Sequence, residues 1–176
     1  MDNKLLNPGR KPFPAWKWLS QSAILATIGS LLAVSSASAQ LAQSPPIFEN
    51  PTIAPTFTPD PLEIRGVSGG DVTARSIVGT AESPTGACVG YIDRQPDHVL
   101  TLTSFFKFLK VEVRSSQDTT LVVKGPGGIW CNDDGSNNNK NPAIAGQWQQ
   151  GAYQIWVGSY QKNAFHDYVM RITQIQ

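Results

Sequence analysis

Charge is scarce in this chain. Only 15% of its 176 residues are Asp, Glu, Lys or Arg, and the formal net charge is +1, so nothing looks built to neutralise a phosphate backbone and no nucleic-acid partner is expected. Cysteine and histidine are scarcer still, with two of each: Cys88, Cys131, His98 and His166. Neither histidine has the spacing to a cysteine or acid that a zinc site needs. A G-x-S-x-G nucleophile elbow is missing, as is any sustained apolar stripe of helical period. The longest weakly polar apolar stretch, Ser22 to Val34, falls well short of the ~20 residues that span a bilayer.

That short stretch has its own meaning. Lys4, Arg10, Lys11 and Lys17 precede it and Ala37-Ser38-Ala39 follows, the layout of a secretory signal peptide with a small-residue cleavage site. Residues 1–39 are therefore expected to be a leader cut after Ala39, against the competing reading of a membrane anchor. No Cys beside the cleavage site could carry a lipid, and no Arg-Arg pair suggests the twin-arginine route. Without the leader, ten Lys+Arg and twelve Asp+Glu remain, a net −2, with no integral membrane segment. The expected location is the periplasm or the extracellular space. In such an oxidising compartment Cys88 and Cys131, 43 residues apart, are expected to pair; a two-Cys metal site is the alternative.

Proline, by contrast, is crowded into one place. Residues 40–61 carry Pro45, Pro46, Pro51, Pro55, Pro59 and Pro61, which remove backbone donors and favour extended polyproline II. This segment is expected to be a disordered tether. The globular domain is placed at 62–176, where apolar residues alternate with period two: Leu100 and Leu102; Leu109, Val111 and Val113; Leu121 and Val123; Tyr153, Ile155 and Val157; Tyr168, Met170 and Ile172. Weaker strand candidates cover 72–78 and 87–92. With Gly/Pro/Asx turns between them, seven to eight short strands imply an all-β, antiparallel, jelly-roll-like β-sandwich.

Candidate chemistry sits in three places. Ser68, in Val67-Ser68-Gly69-Gly70, could serve a small hydrolase with His98 or His166, although a turn explains its glycines equally well. The stretch WCNDDGSNNNKNP, 130–142, offers many oxygens to calcium through Asn132, Asp133, Asp134, Ser136 and Asn137 to Asn139. It lacks EF-hand spacing, and an Asx-rich turn needs no metal. Trp130, Trp148, Trp156 and Tyr160 could form an exposed aromatic platform for a sugar ring or peptide. Trp156 falls on the strand face opposite Tyr153, Ile155 and Val157, so Trp156 and Tyr160 are the expected binding residues, against the alternative that the tryptophan packs under a neighbouring loop.

Four runs, GACVGYIDRQPDHVLTL, DTTLVVKGPGGIWCNDD, NPAIAGQW and GAYQIWVGSY, taken in this order and spacing, resemble the bacterial pre-peptidase C-terminal domain in a stand-alone secreted form, over residues 86–173. The resemblance implies a non-catalytic β-sandwich module, a type usually fused to secreted proteases and other hydrolases, some of whose relatives bind calcium or insoluble protein. It implies calcium ligands at Asp133 and Asp134, with Asn132 and Asp118 beside them. The 40–61 segment is too short to hold a protease domain, which departs from the family's commonest setting. The reading that results is a secreted binding or accessory module, not an enzyme, with calcium as its cofactor if it has one. Its partner would be a protein or polysaccharide of the envelope or extracellular space. A Ser68 hydrolase and a structural envelope protein without a small ligand are the rival readings.

Overall fold

The computed structural model describes residues 48–135 and 139–175. The expected leader, the first part of the tether at 40–47, and Ser136 to Asn138 lie outside the described residues. In chain order the strands are β1 (Thr52–Ile53), β2 (Leu62–Ser68), β3 (Val72–Thr73), β4 (Glu82–Ser83), β5 (Gly86–Ala87), β6 (Tyr91–Ile92), β7 (His98–Leu102), β8 (Phe106–Arg114), β9 (Thr119–Gly125), β10 (Gly128–Asn132), β11 (Ala143–Trp148), β12 (Gly151–Ser159) and β13 (His166–Thr173), with one short helix, α1 (Ala74–Val78), after β3. Eight of the strands have five or more residues, and they form the two sheets of an antiparallel β-sandwich.

In the first sheet β12 is central. It pairs with β7 along Gly151 to Ile155, with β9 along Gln154 to Ser159, and with β6 at Ser159, while β10 continues outward from β9. The second sheet runs β11-β8-β13-β2. Alternation decides which residues meet between them: Leu100, Leu121, Val123, Tyr153, Ile155 and Val157 from one sheet face Leu109, Val111, Val113, Met170, Ile172 and Ile64 from the other, all buried. Each side chain so buried stabilises the fold by roughly 1.5–3 kcal/mol against full exposure.

A third layer was not expected. β9 is buried on both faces at Thr119 to Val123 and β12 at Ile155 to Ser159, so the outer face of the first sheet is covered too. Ala74, Val78, Cys88, Ile92, Val122, Cys131 and Trp156 form this second cluster, under α1 and the chain that follows it. The expected strand at 72–78 is thus mostly a single helical turn, closed by Gly79 in the left-handed region at φ 78°. Five residues are too few to display a 3.6 period.

The tether expectation also needs correcting from Phe48 onward. Phe48 meets the His98 ring edge-on at 5.6 Å, Ile53 is buried beside β7, and Phe57 packs near Phe106. β1 adds to β7 in parallel, Thr52 opposite Thr101. Three anchors placed along a proline-rich segment suffice to dock it, because proline already restricts the backbone and little further entropy is lost on ordering.

Candidate functional site

Of the residues of the hydrolase reading, Ser68 and His98 are sealed in. Ser68 is fully buried and its Oγ lies 2.9 Å from Ser159 Oγ. His98 is equally buried, with Nδ1 2.8 Å from the Glu49 carbonyl oxygen and Nε2 2.7 Å from the Tyr168 hydroxyl. A carbonyl can only accept, so Nδ1 carries the hydrogen and the neutral ring accepts from Tyr168 at Nε2. Burial lowers the His98 pKa and raises that of Tyr168, which keeps both neutral. His166 does stand opposite Ser68 in the β13–β2 register. A nucleophile without solvent contact cannot meet a substrate, so that proximity assembles no working dyad.

The quoted stretch divides in two. Cys131 and Asn132 end β10, and Lys140 and Asn141 lie against the β8–β9 connection. Asn132 fastens the turn: Oδ1 accepts from the Ala143 N–H at 2.9 Å and Nδ2 donates to the Thr85 carbonyl at 3.3 Å. Asn141 does the same further along, accepting from Thr119 Oγ1 and donating to the Ser115 carbonyl, both at 2.7 Å. Asp134 and Asp118 come close enough to repel the Asp133 carboxylate. Burial first, then Asp134 and Asp118, raise the Asp133 pKa to about 6. One oxygen of Asp133 and one of Asp118 are buried with no hydrogen-bond partner among the described residues, and Lys140 stands 4.0 Å from the other Asp118 oxygen. Among the described residues no three His, Cys, Asp or Glu side chains converge as metal ligands.

Cys88 and Cys131 are joined in a disulfide. The bond ties the chain after β5 to β10, and so holds the third layer against the sheet. Trp156 lies beneath it at 3% exposure. The strand face assigned to Trp156 is correct, but that face looks into the third layer and not into solvent, so Trp156 is no contact residue. Its indole N–H has no partner among the described residues, so Trp156→Phe removes an unsatisfied donor at the same time as some apolar contact. The two effects oppose each other, and urea unfolding should find stability changed by less than about 1 kcal/mol. Tyr160 is exposed, at the mouth of a recess of ≈ 310 Å³ shared with Asp118, Lys140 and His166.

The aromatic platform exists elsewhere. Trp130 on β10 and Trp148 on β11 belong to different sheets, and the sandwich edge brings them together, rings stacked at 26° with centroids 6.3 Å apart. Tyr153 of β12 packs 4.8 Å from Trp148. Together they line an open groove of ≈ 320 Å³. Its walls are completed by two devices. Gly125 lies against the face of Tyr153, where any Cβ would strike the ring, and a bulge between Gly146 and Trp148 turns Gln147 out of the β11–β8 ladder. Trp148 Nε1 donates inward to the Leu109 carbonyl and Tyr153 OH to the Gln149 carbonyl, each at 2.9 Å. Gln147 and Gln149 are exposed at the rim. Among the described residues no Asp, Glu, Lys, Arg or His lines this groove.

No family model matches the chain. It is 28% identical over 116 residues to an uncharacterized protein of Synechococcus elongatus, an alignment covering 64% of this chain and 75% of that protein. Among solved structures it is similar to the pre-peptidase C-terminal domain of collagenase from Bacillus anthracis, with a TM-score of 0.41 and 14% identity over 72% of this chain and 96% of that one. That is the family the sequence motifs resemble. At this identity and TM-score nothing about ligand or partner carries over to this chain.

Proposed function

We propose that this chain is a non-catalytic binding module, exported by its leader and stapled by Cys88–Cys131, that contacts a polymer or protein of the cell envelope or the extracellular space. One observation carries the reading: a solvent-open, uncharged aromatic groove lies at the sandwich edge, while Ser68 and His98 are buried and engaged. Concave sites lined by aromatic side chains with a few polar groups are the usual form of a ligand site. The test is co-sedimentation of the full chain with insoluble peptidoglycan, polysaccharide and fibrous protein. At least one should retain the wild type, and replacing Gln147 and Gln149 together by alanine should weaken retention without lowering the melting temperature, since both are exposed. Trp156→Phe should leave retention unchanged. Retention equal in the wild type and the double variant would place the contact elsewhere.

Calcium is a second proposal, supported by the two orphaned carboxylate oxygens. Asp133 and Asp118 would supply ligands, Asp134 would stand beside them, and backbone and water oxygens would complete the shell. Asn132 serves the turn instead, since both ends of its amide are engaged. Bound calcium would offset the repulsion that Asp133 meets from Asp134 and Asp118. The melting temperature should then rise with calcium and not with magnesium, by about 2.7 kcal/mol of stabilisation at a hundredfold excess over the dissociation constant, and Asp133→Asn should abolish the rise. A flat response up to millimolar calcium would leave the loop a fastened Asx turn.

A further inference from the structure

We infer that the groove between β10 and β11 takes a neutral glycan, one pyranose ring stacked on Trp130 and held at its hydroxyls by the amides of Gln147 and Gln149. The inference rests on the binding-module reading and names its ligand class. Three observations lead to it.

The first is charge. Among the described residues the groove lining contains no ionisable side chain apart from Tyr153, whose hydroxyl is engaged. The recess beside Tyr160, in contrast, includes Asp118 and Lys140 in its lining. An anionic polymer or a charged peptide would bring its ions into a wall that offers them no partner, and burying an unpaired charge is heavily penalised. A neutral ligand pays no such penalty.

The second is where the polar groups of the rings point. Polyproline segments dock on aromatic grooves, and such a segment exposes backbone carbonyls, which need donors. Here Trp148 Nε1 and Tyr153 OH are both committed to backbone carbonyls, those of Leu109 and Gln149, so neither ring has a donor left for such a segment. Both rings are buried, Trp148 at 5% and Tyr153 at 1% exposure, so they floor the groove, and the apolar face offered to a ligand is that of the half-buried Trp130. A pyranose has an apolar face of C–H groups that suits an aromatic face and hydroxyls around its rim.

The third is the placement of the amides. A Cβ on Gly127 would lie 3.6 Å from the six-membered ring of Trp130 and 3.9 Å from Gln149 Nε2. The indole and the amide therefore converge on the same bare stretch of backbone, within reach of one sugar. Gly127 holds φ at 92°, a conformation that disfavours any side chain that would fill the space. Each amide carries donors and an acceptor, which matches hydroxyls that both donate and accept. The groove volume of ≈ 320 Å³ leaves room for one ring with its neighbours running out along the open ends.

Affinity gel electrophoresis of the full chain tests this, with soluble neutral glycans (a β-glucan, an α-glucan and a chitooligosaccharide), an anionic carboxymethyl glucan, and a polyproline peptide as probes. Retardation by at least one neutral glycan is expected, weakened about tenfold or more in Trp130→Ala. Because Trp130 also packs against the core, the exposed Gln147→Ala/Gln149→Ala variant is run beside it and should lose binding while keeping its melting temperature. Binding of a neutral glycan that survives in both variants overturns the site. Failure of every neutral glycan overturns the glycan assignment. If the polyproline peptide or the anionic glucan binds instead and depends on Trp130, the binding-module reading stands and only the ligand class falls. If no probe binds and co-sedimentation also fails, both fall.

Discussion

Replacing Cys88 and Cys131 together by alanine should lower the stability by about 4 kcal/mol, the closure entropy of a loop of this length in the chain-entropy account. The loop closed by the two cysteines, 43 residues apart in sequence, contains β6, β7 and β9 of the first sheet and β8 of the second, so the cross-link restrains strands of both sheets in the unfolded chain. Locally the bond pins the third layer over Val122 and Trp156. Its loss should therefore do more than shift the urea midpoint. Trp156 fluorescence should move to the red before global unfolding, because this layer contains only one helical turn and several two-residue strands. A midpoint within about 1 kcal/mol of wild type would mean that the apolar contacts of the layer hold it unaided.

The second large effect is a pH dependence set by Asp97. On one side of β12 the partner strand changes from β7, which ends its pairing at Ile155, to β6, which begins at Ser159. Val157 falls in the gap. The Asp97 carboxyl fills it, accepting the Val157 N–H at 2.7 Å, while the Gly69 N–H reaches the Val157 carbonyl at 3.1 Å. Burial is the main influence on this carboxyl and, with Asp93 nearby, raises its pKa to about 7 against the opposing effect of the Val157 N–H. Below pH 3.8 the folded and unfolded chains both hold the proton, and the full stability is present. Between 3.8 and about 7 only the folded chain holds it, so stability declines by about 1.4 kcal/mol per pH unit. Above 7 both are ionised and the loss, about 4 kcal/mol in all, is complete. Asp97→Asn keeps an acceptor for Val157 without the charge. It should flatten the decline, leaving the variant close to wild type at pH 4 and more stable at pH 8. Parallel stability curves for the two proteins across that range would contradict this.

How much of this was legible in the sequence follows from where alternation is clean. β7, β8, β9, β12 and β13 each repeat a large apolar residue every second position, and they are where the pattern put them. Alternation does not reveal β2, because its inward series, Leu62, Ile64, Gly66 and Ser68, shrinks toward small residues while Val67 faces out. Nor does it reveal β11, because AIAGQW is mostly small and its bulge shifts the alternation just where Trp148 enters the core. The Cys88–Cys131 pairing followed from compartment and count. Trp156 illustrates a different limit: period two assigns a residue to a face, but it cannot say whether another segment covers that face. Trp130 and Trp148 were visible as candidates, and their junction was not, because it is made by two sheets meeting at an edge. The buried Ser68–Ser159 and His98–Tyr168 pairs join residues 91 and 70 positions apart, a separation that no local motif records.

The central claim is that ligand meets this protein at Trp130 and not at Trp156 or the Tyr160 recess. The most direct measurement is a titration of the full chain with the polymer that retains it, followed through the indole N–H resonances by NMR. The account predicts that the Trp130 indole shifts with ligand while the Trp156 indole stays fixed beneath the disulfide layer. Movement of Trp156, or of Tyr160 and His166 with Trp130 unchanged, would contradict it.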